Sequence, residues 1–419
     1  MRPPRLLSLI ALSAALTLAA CAGPGKPAGR QTVASLETRE RSFDEFLDGF
    51  RRQALAAGIR KATLDKAFEG LVANDRVMAL MNSQPEFVRP IWDYLDRAVS
   101  ERRIAGGRRA LAENKRLLAR TQTRYGVPAR IIVAIWGIES NYGGNTGSFN
   151  IIQVLATQAW KGRRTAWAKG ELMHALRILD DGEVSAKAFK GSWAGAFGQT
   201  QFMPSVYRRH AVDNDGDGRR DLWRSLPDVF ASTGNLMRFN GWRADQPWGF
   251  EVELPKDFDW AQAEYKIRKS LAEWHKLGVR RIAGGALTGG KLRPDTGASI
   301  ILPAGHKGPA FVVLRNFRAL LRYNNATSYA LAVAHLSDRI AGRGAFTGAW
   351  PTGQIPLTRG ESKELQQRLT AIGCDAGKAD GVVGKRTRAA VRCYQRQLRE
   401  PADGYPTAKL LARLRGGPS

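Results

Sequence analysis

Apolar residues recur every three or four positions through most of the chain, and that spacing predicts a mainly helical protein. Between Phe43 and Arg124 it is carried by "FDEFLDGFRRQALAAG" and "IWDYLDRAVSERRI". Gly126 and Pro128 stop one helix and start the next, which runs through "RIIVAIWGIES". Further helices are predicted at 166–180, 204–211 and 226–239, and over "SYALAVAHLSDRIAG". The pattern changes from 245 to 317, where "WGFEVELP", "ASIILP" and "AFVVLRNF" read as short strands bounded by Gly and Pro. This predicts a small β-containing insertion in an α-rich domain. The Gly- and Pro-rich stretch 343–356 reads as a linker, and beyond Leu357 two amphipathic helices flank the turn-rich "GKADGVVGKRT".

One residue breaks the pattern. Ile131, Ile135 and Glu139 recur at four-residue spacing and share one helix face, the face a helix buries. A carboxylate there has either a partner that offsets its desolvation or an apolar setting that holds its proton near neutral pH. The second setting suits a general acid for glycosidic cleavage. The bland alternative is a buried, hydrogen-bonded or ion-paired helix residue.

Composition changes the picture in two ways. The 419 residues, 43% hydrophobic and 25% charged, describe an ordinary globular protein long enough for two or three domains. The sign of the charge is unusual: 65 Lys+Arg against 38 Asp+Glu, a net +27. Such a surface suits a polyanion, whether nucleic acid, an anionic membrane or a cell-wall polymer. A coding bias toward Arg would look the same. No nucleic-acid-binding motif is present, and nucleic acid is not expected as a partner.

The N-terminus bears on compartment. "MRPPRLLSLIALSAALTLAAC" has a basic start, an apolar run from Leu6 to Leu18 and small residues before Cys21, the pattern of a secretory signal. "LAAC" resembles the bacterial lipobox, which implies a signal peptide over 1–20 and lipidation of Cys21. Ala22, in place of Asp, implies the outer membrane of a Gram-negative cell, and 21–39 then reads as a tether. The remaining cysteines, Cys374 and Cys393, are expected to pair in an oxidising periplasm. Such a disulfide would contribute roughly 3 kcal/mol to a small domain; two buried free thiols are the alternative.

Several blocks carry a family resemblance. "IVAIWGIESNYG", "GSWAGAFGQTQFMPS" (191–205), "NDGDGRRDLW" and "LLRYNNATSYALAV" occur in the order found in lytic murein transglycosylases of the membrane-bound B type. The region from about 40 to 342 resembles that family. The resemblance implies a lysozyme-like catalytic core with added helices, and cleavage of the MurNAc–GlcNAc β-1,4 bond of peptidoglycan without water. Glu139 would be acid and then base, with no cofactor required for the chemistry. By matched position Ser192, Gln201, Tyr323, Tyr329 and Tyr94 would contact substrate. Leu236 stands where the family has another cleft tyrosine. A hydrolytic muramidase using Asp180, Asp181 or Glu183 as a second carboxylate is the runner-up, and a non-catalytic wall-binding lipoprotein the third reading.

The tail, 357–416, resembles a small three-helix peptidoglycan-binding domain of the LQxxL…DGxxGxxT…AVxxFQ type, with Tyr394 in the Phe position. From Leu357 on it has 13 basic and 6 acidic residues, a net +7 that suits stem-peptide carboxylates. Partners are then glycan strands, the outer membrane through the lipid, and cell-wall synthesis or division proteins as further candidates.

Asp213, Asp215 and Asp217 occupy positions 1, 3 and 5 of an EF-hand-like loop with Gly218 at its turn, but position 12 is Arg224. The family has a shortened version, which implies a structural Ca²⁺ completed by the Arg219 carbonyl and Asp228. A metal-free Asp/Gly turn is the alternative. "GALTGGKL" (285–292) approaches a phosphate-binding loop but ends in Leu292, without the hydroxyl that holds Mg²⁺.

Overall fold

A computed structural model describes residues 42–82 and 90–416. The signal peptide, the tether and Cys21 lie outside the described residues. Seven helices come first: α1 (Phe43–Ala56), α2 (Lys61–Phe68), α3 (Asp75–Asn82), α4 (Ile91–Ala98), α5 (Glu101–Glu113), α6 (Lys115–Tyr125) and α7 (Ala129–Ser140). The stretch "IWDYLDRAVSERRI" is two helices, because Ser100 caps α5 by accepting from the Arg103 N–H. Then follow β1 (Phe149–Asn150), α8 (Ile151–Lys161), α9 (Thr165–Asp180), β2 (Lys190–Gly191), α10 (Pro204–His210) and α11 (Leu226–Phe239).

The insertion holds β3 (Gly249–Glu253), β4 (Lys269–Ser270), α12 (Leu271–Lys276), β5 (Arg280–Arg281), β6 (Gly297–Ile301) and β7 (Ala310–Val313). Its strands form one antiparallel sheet, order β4-β6-β7-β3-β5. The two-residue strands β4 and β5 and the helix α12 are too short to leave a periodic signature. Helix returns as α13 (Arg315–Tyr323) and α14 (Thr327–Ile340), and the chain ends in α15 (Arg359–Ala371), α16 (Lys385–Gln397) and α17 (Ala408–Leu414).

Three apolar cores organise these elements. The largest is centred on α7 and α14, whose residues 131–137 and 329–338 are buried on every face. A helix apolar all round has to be wrapped, and α4, α5, α6, α11 and α13 do so. The second core lies in the insertion around Trp274, and the third in the C-terminal helices around Leu365, Leu369 and Val391. There Cys374 and Cys393 are joined by a disulfide, with 5.8 Å between their Cα atoms.

The C-terminal helices dock on the insertion through buried charge. Arg392 is ion-paired with Glu264. The Asp403 carboxylate accepts from His306 N and Gln395 Nε2 at 2.8 and 2.7 Å and lies 2.7 Å from His306 Nδ1.

Candidate active site

Glu139 lies in the last turn of α7, and the helix stops there because Asn141 and Tyr142 take left-handed backbone (φ 51° and 61°). This costs energy for non-glycine residues, and packing holds it in place. The Tyr142 ring fills a slot that exists because Gly106, Gly107 and Gly137 have no side chains; a Cβ on Gly137 would come within 2.6 Å of the ring. The Tyr142 hydroxyl donates to the Arg103 carbonyl at 2.7 Å, so α5 and the end of α7 are pinned together.

The Glu139 carboxylate is half-buried, and Tyr329 Oη donates to its Oε1 at 2.5 Å. Burial pushes its pKa from 4.5 up to about 7, against the opposing pull of Tyr329. Among the described residues no second carboxylate acts on it. Tyr323 lies 6.1 Å from Tyr329, ring over ring at 12°, and donates its hydroxyl to the Thr200 carbonyl at 2.6 Å. Burial raises the pKa of both phenols well above the ordinary tyrosine range, so both remain donors. Tyr94, on α4, acts electrostatically on Tyr329.

The segment 191–205 forms a tight fold-back, with Phe197 bridged to both Gly191 and Phe202. Ser192 follows β2, and its Oγ accepts from Ala196 N–H at 3.2 Å. Gln201 has φ 50°, and its Nε2 donates to the Thr146 and Gly198 carbonyls. Glu139, Tyr329, Tyr323 and the Thr200–Gln201 turn thus form one continuous chain of contacts. Leu236 is a core residue of α11.

Gln199 is a residue of the candidate site that sequence reasoning missed. Nearly buried, it accepts from Trp136 Nε1 at 2.8 Å and donates to the Trp223 carbonyl at 2.9 Å, tying α7 to the fold-back. A buried amide between two tryptophans has no periodic signal; its only sequence trace is its place inside a motif.

The three acids proposed for a hydrolytic mechanism are engaged elsewhere. Asp180 accepts from Arg60 and Thr63, Asp181 lies 4.0 Å from Arg208, and Glu183 is clasped by Arg220 and the Tyr207 hydroxyl.

Oxygens of Asp213, Asp215 and Asp217 converge within 4.8 Å of one another. Like charges this close, on an exposed loop, are the donor set a hard cation takes. Asp228 is outside this trio: it is buried, and its two oxygens accept from Asn214 N and Asp221 N, bracketing the loop's ends. Among the described residues no helix is long and apolar enough to cross a membrane.

A half-buried carboxylate of raised pKa at a helix end, beside stacked tyrosines in a mainly helical protein, is the arrangement of a candidate general acid. Comparison with known proteins gives the family. Residues 42–338 match the transglycosylase SLT domain and 358–414 a putative peptidoglycan binding domain. The chain belongs to the lytic transglycosylase family acting on peptidoglycan. It is 35% identical over 223 residues to membrane-bound lytic murein transglycosylase B of Escherichia coli K12, a match covering 52% of this chain and 58% of that relative. SltB3 of Pseudomonas aeruginosa, solved with NAG-anhNAM-pentapeptide, is 50% identical with a TM-score of 0.87 over 90% of this chain and all of that one. The Escherichia coli transglycosylase Slt35, solved with calcium, is 27% identical with a TM-score of 0.62 over 71% of this chain and 92% of that one.

Proposed function

We propose that the protein cleaves the MurNAc–GlcNAc β-1,4 bond of peptidoglycan without water, leaving a 1,6-anhydromuramoyl end. The observation that carries this reading is Glu139 at the end of α7, held by the Tyr329 hydroxyl, while Asp180, Asp181 and Glu183 are engaged elsewhere. A hydrolase of the usual kind needs two carboxylates; a single one suffices if the substrate supplies its own nucleophile. Protonated Glu139 gives its proton to the glycosidic oxygen as the bond to C1 breaks. The C6 hydroxyl of the same muramoyl residue attacks C1, and the Glu139 carboxylate takes that hydroxyl's proton. One C–O bond breaks and one forms, and the acid is restored.

Ser192, Gln201, Tyr323 and Tyr94 bind the sugars, and Tyr329 holds the carboxylate in position. The anhydro sugar seen with SltB3 is the product this step would give. The catalytic domain spans 40–342 and, beyond the linker 343–356, residues 357–416 hold the wall. The lipid on Cys21 holds the chain at the periplasmic face of the outer membrane, and the membrane-bound relative supports that placement. Asp213, Asp215 and Asp217, with the Arg219 carbonyl, hold a structural Ca²⁺, a reading supported by the calcium-bound relative.

The test is mass spectrometry of muropeptides released from sacculi by the wild type and by Glu139→Gln. Anhydro-ended products from the wild type, with release cut about a thousandfold or more in the variant, are expected. Reducing ends would overturn the non-hydrolytic reaction.

A further inference from the structure

Between the C-terminal helices and the insertion lies a cavity of about 350 Å³ that the reaction above does not use. Its lining includes the apolar Ile91, Ile301 and Pro303 and the cations Lys266, Lys385 and Arg388. Its two acids are already committed. Glu264 is paired with Arg392, and Asp403 is held by His306, Gln395 and the Tyr405 N–H. Three cations therefore remain without a carboxylate of their own.

Arg388 is the informative one. It is half-buried and lines the cavity, and burial lowers its pKa. The nearby groups of opposite tendency are Tyr405, Asp403 and Tyr265. A half-buried guanidinium lining a cavity is matched by a carboxylate from outside the protein.

The backbone points the same way. Ile91, Thr327 and Lys385 are the first residues of α4, α14 and α16, and all three line the cavity. Among the described residues no side chain caps any of these helices, so the positive ends of three helices add to the cations. The cavity shares helices α4 and α14 with the cleft. Thr327, bonded to the Tyr265 hydroxyl at 3.0 Å, precedes Tyr329 by two residues, and Ile91 precedes Tyr94 by three.

We propose that this cavity seats the carboxylate-bearing peptide of the glycan strand lying in the cleft, with Arg388 and Lys385 binding the carboxylate. The proposal rests on the peptidoglycan reading. A short peptide with small apolar side chains and a free carboxylate fits a lining that is partly apolar and partly cationic, and a pentapeptide-bearing sugar is what SltB3 was solved with.

The test uses the full-length protein with two soluble tetrasaccharides, one bearing pentapeptides and one stripped of them. Arg388→Gln should raise KM for the peptide-bearing glycan about tenfold at unchanged kcat, with the bare glycan unaffected. Lys385→Gln, at an exposed position, should give about threefold and carries the test if Arg388→Gln fails to fold. Equal loss on both glycans, or no change on either, overturns the proposal. Weaker retention on sacculi with normal KM on the soluble strands also overturns it, because the peptide would then belong to a neighbouring strand. Calorimetric binding of both glycans to Glu139→Gln and to its Arg388→Gln double variant reads the cavity without turnover. A failed reaction and a failed cavity therefore give different results.

Discussion

Two desolvated carboxylates in different regions of this molecule, Glu139 and Asp403, have opposite outcomes. At the cleft, Glu139 has one donor, the Tyr329 hydroxyl, and its pKa rises to about 7. At the C-terminal seam Asp403 is also buried, and burial again raises its pKa. There the His306 side chain and N–H, the Tyr405 N–H and Gln395 outweigh burial and bring the pKa below 3.8. At these two sites the sign is set by whether the donors outweigh burial. The seam spends its donors to fix a charge, so it holds two parts of the chain together; the cleft withholds them, so its proton can leave.

The comparison breaks most visibly in stability. Glu139→Gln should stabilise the fold by about 3 kcal/mol above pH 7, since a neutral amide avoids burying the charge. The sign follows from the raised folded-state pKa: the wild type is at full stability below about 4.5 and loses stability until pH passes about 7. Urea denaturation at pH 4 and pH 8 checks this; an equal effect at both pH values would sink it.

Asp403→Asn should act the other way, costing about 2 kcal/mol at neutral pH, because an amide nitrogen would face the His306 N–H. With its folded pKa depressed, the wild-type advantage is present above about 3.8 and lost as pH falls through the lower folded value. Thermal melts across pH 2.5–7 read it. Tyr329→Phe removes the one donor at the cleft. The pH at which activity declines should move upward, with kcat lowered about tenfold; an unmoved profile would mean that Tyr329 does not set the proton's affinity. The smallest effect belongs to the Asp213 loop. Millimolar Ca²⁺ should raise the melting temperature by a few degrees, about 1 kcal/mol, and Asp215→Ala should abolish the gain.

Much of this was legible in the sequence for a physical reason. Helices predicted at 166–180 and 226–239 are Thr165–Asp180 and Leu226–Phe239, because an amphipathic face must repeat with the helix itself. The sequence was silent where contacts join distant segments. Glu171 also sits on an apolar helix, yet both its oxygens accept from Ser205, 34 residues away. Nothing in the spacing of Glu171 or Glu139 tells the two roles apart; the matched motif did. Gln199 and the docking of the C-terminal helices through Arg392, Asp403 and His306 are likewise long-range pairings with no local pattern.

The slot around Tyr142 extends the reach of the catalytic machinery into residues with no functional group. Gly106, Gly107 and Gly137 contribute by omission, each leaving room for a ring that fixes where the helix carrying Glu139 ends. A methyl group at Gly137 would displace that ring, and the end of the helix carrying Glu139 with it, while every polar group in the cleft stayed intact. On the proposed mechanism such a protein would bind its strand and fail to cut it, with every candidate site residue still present.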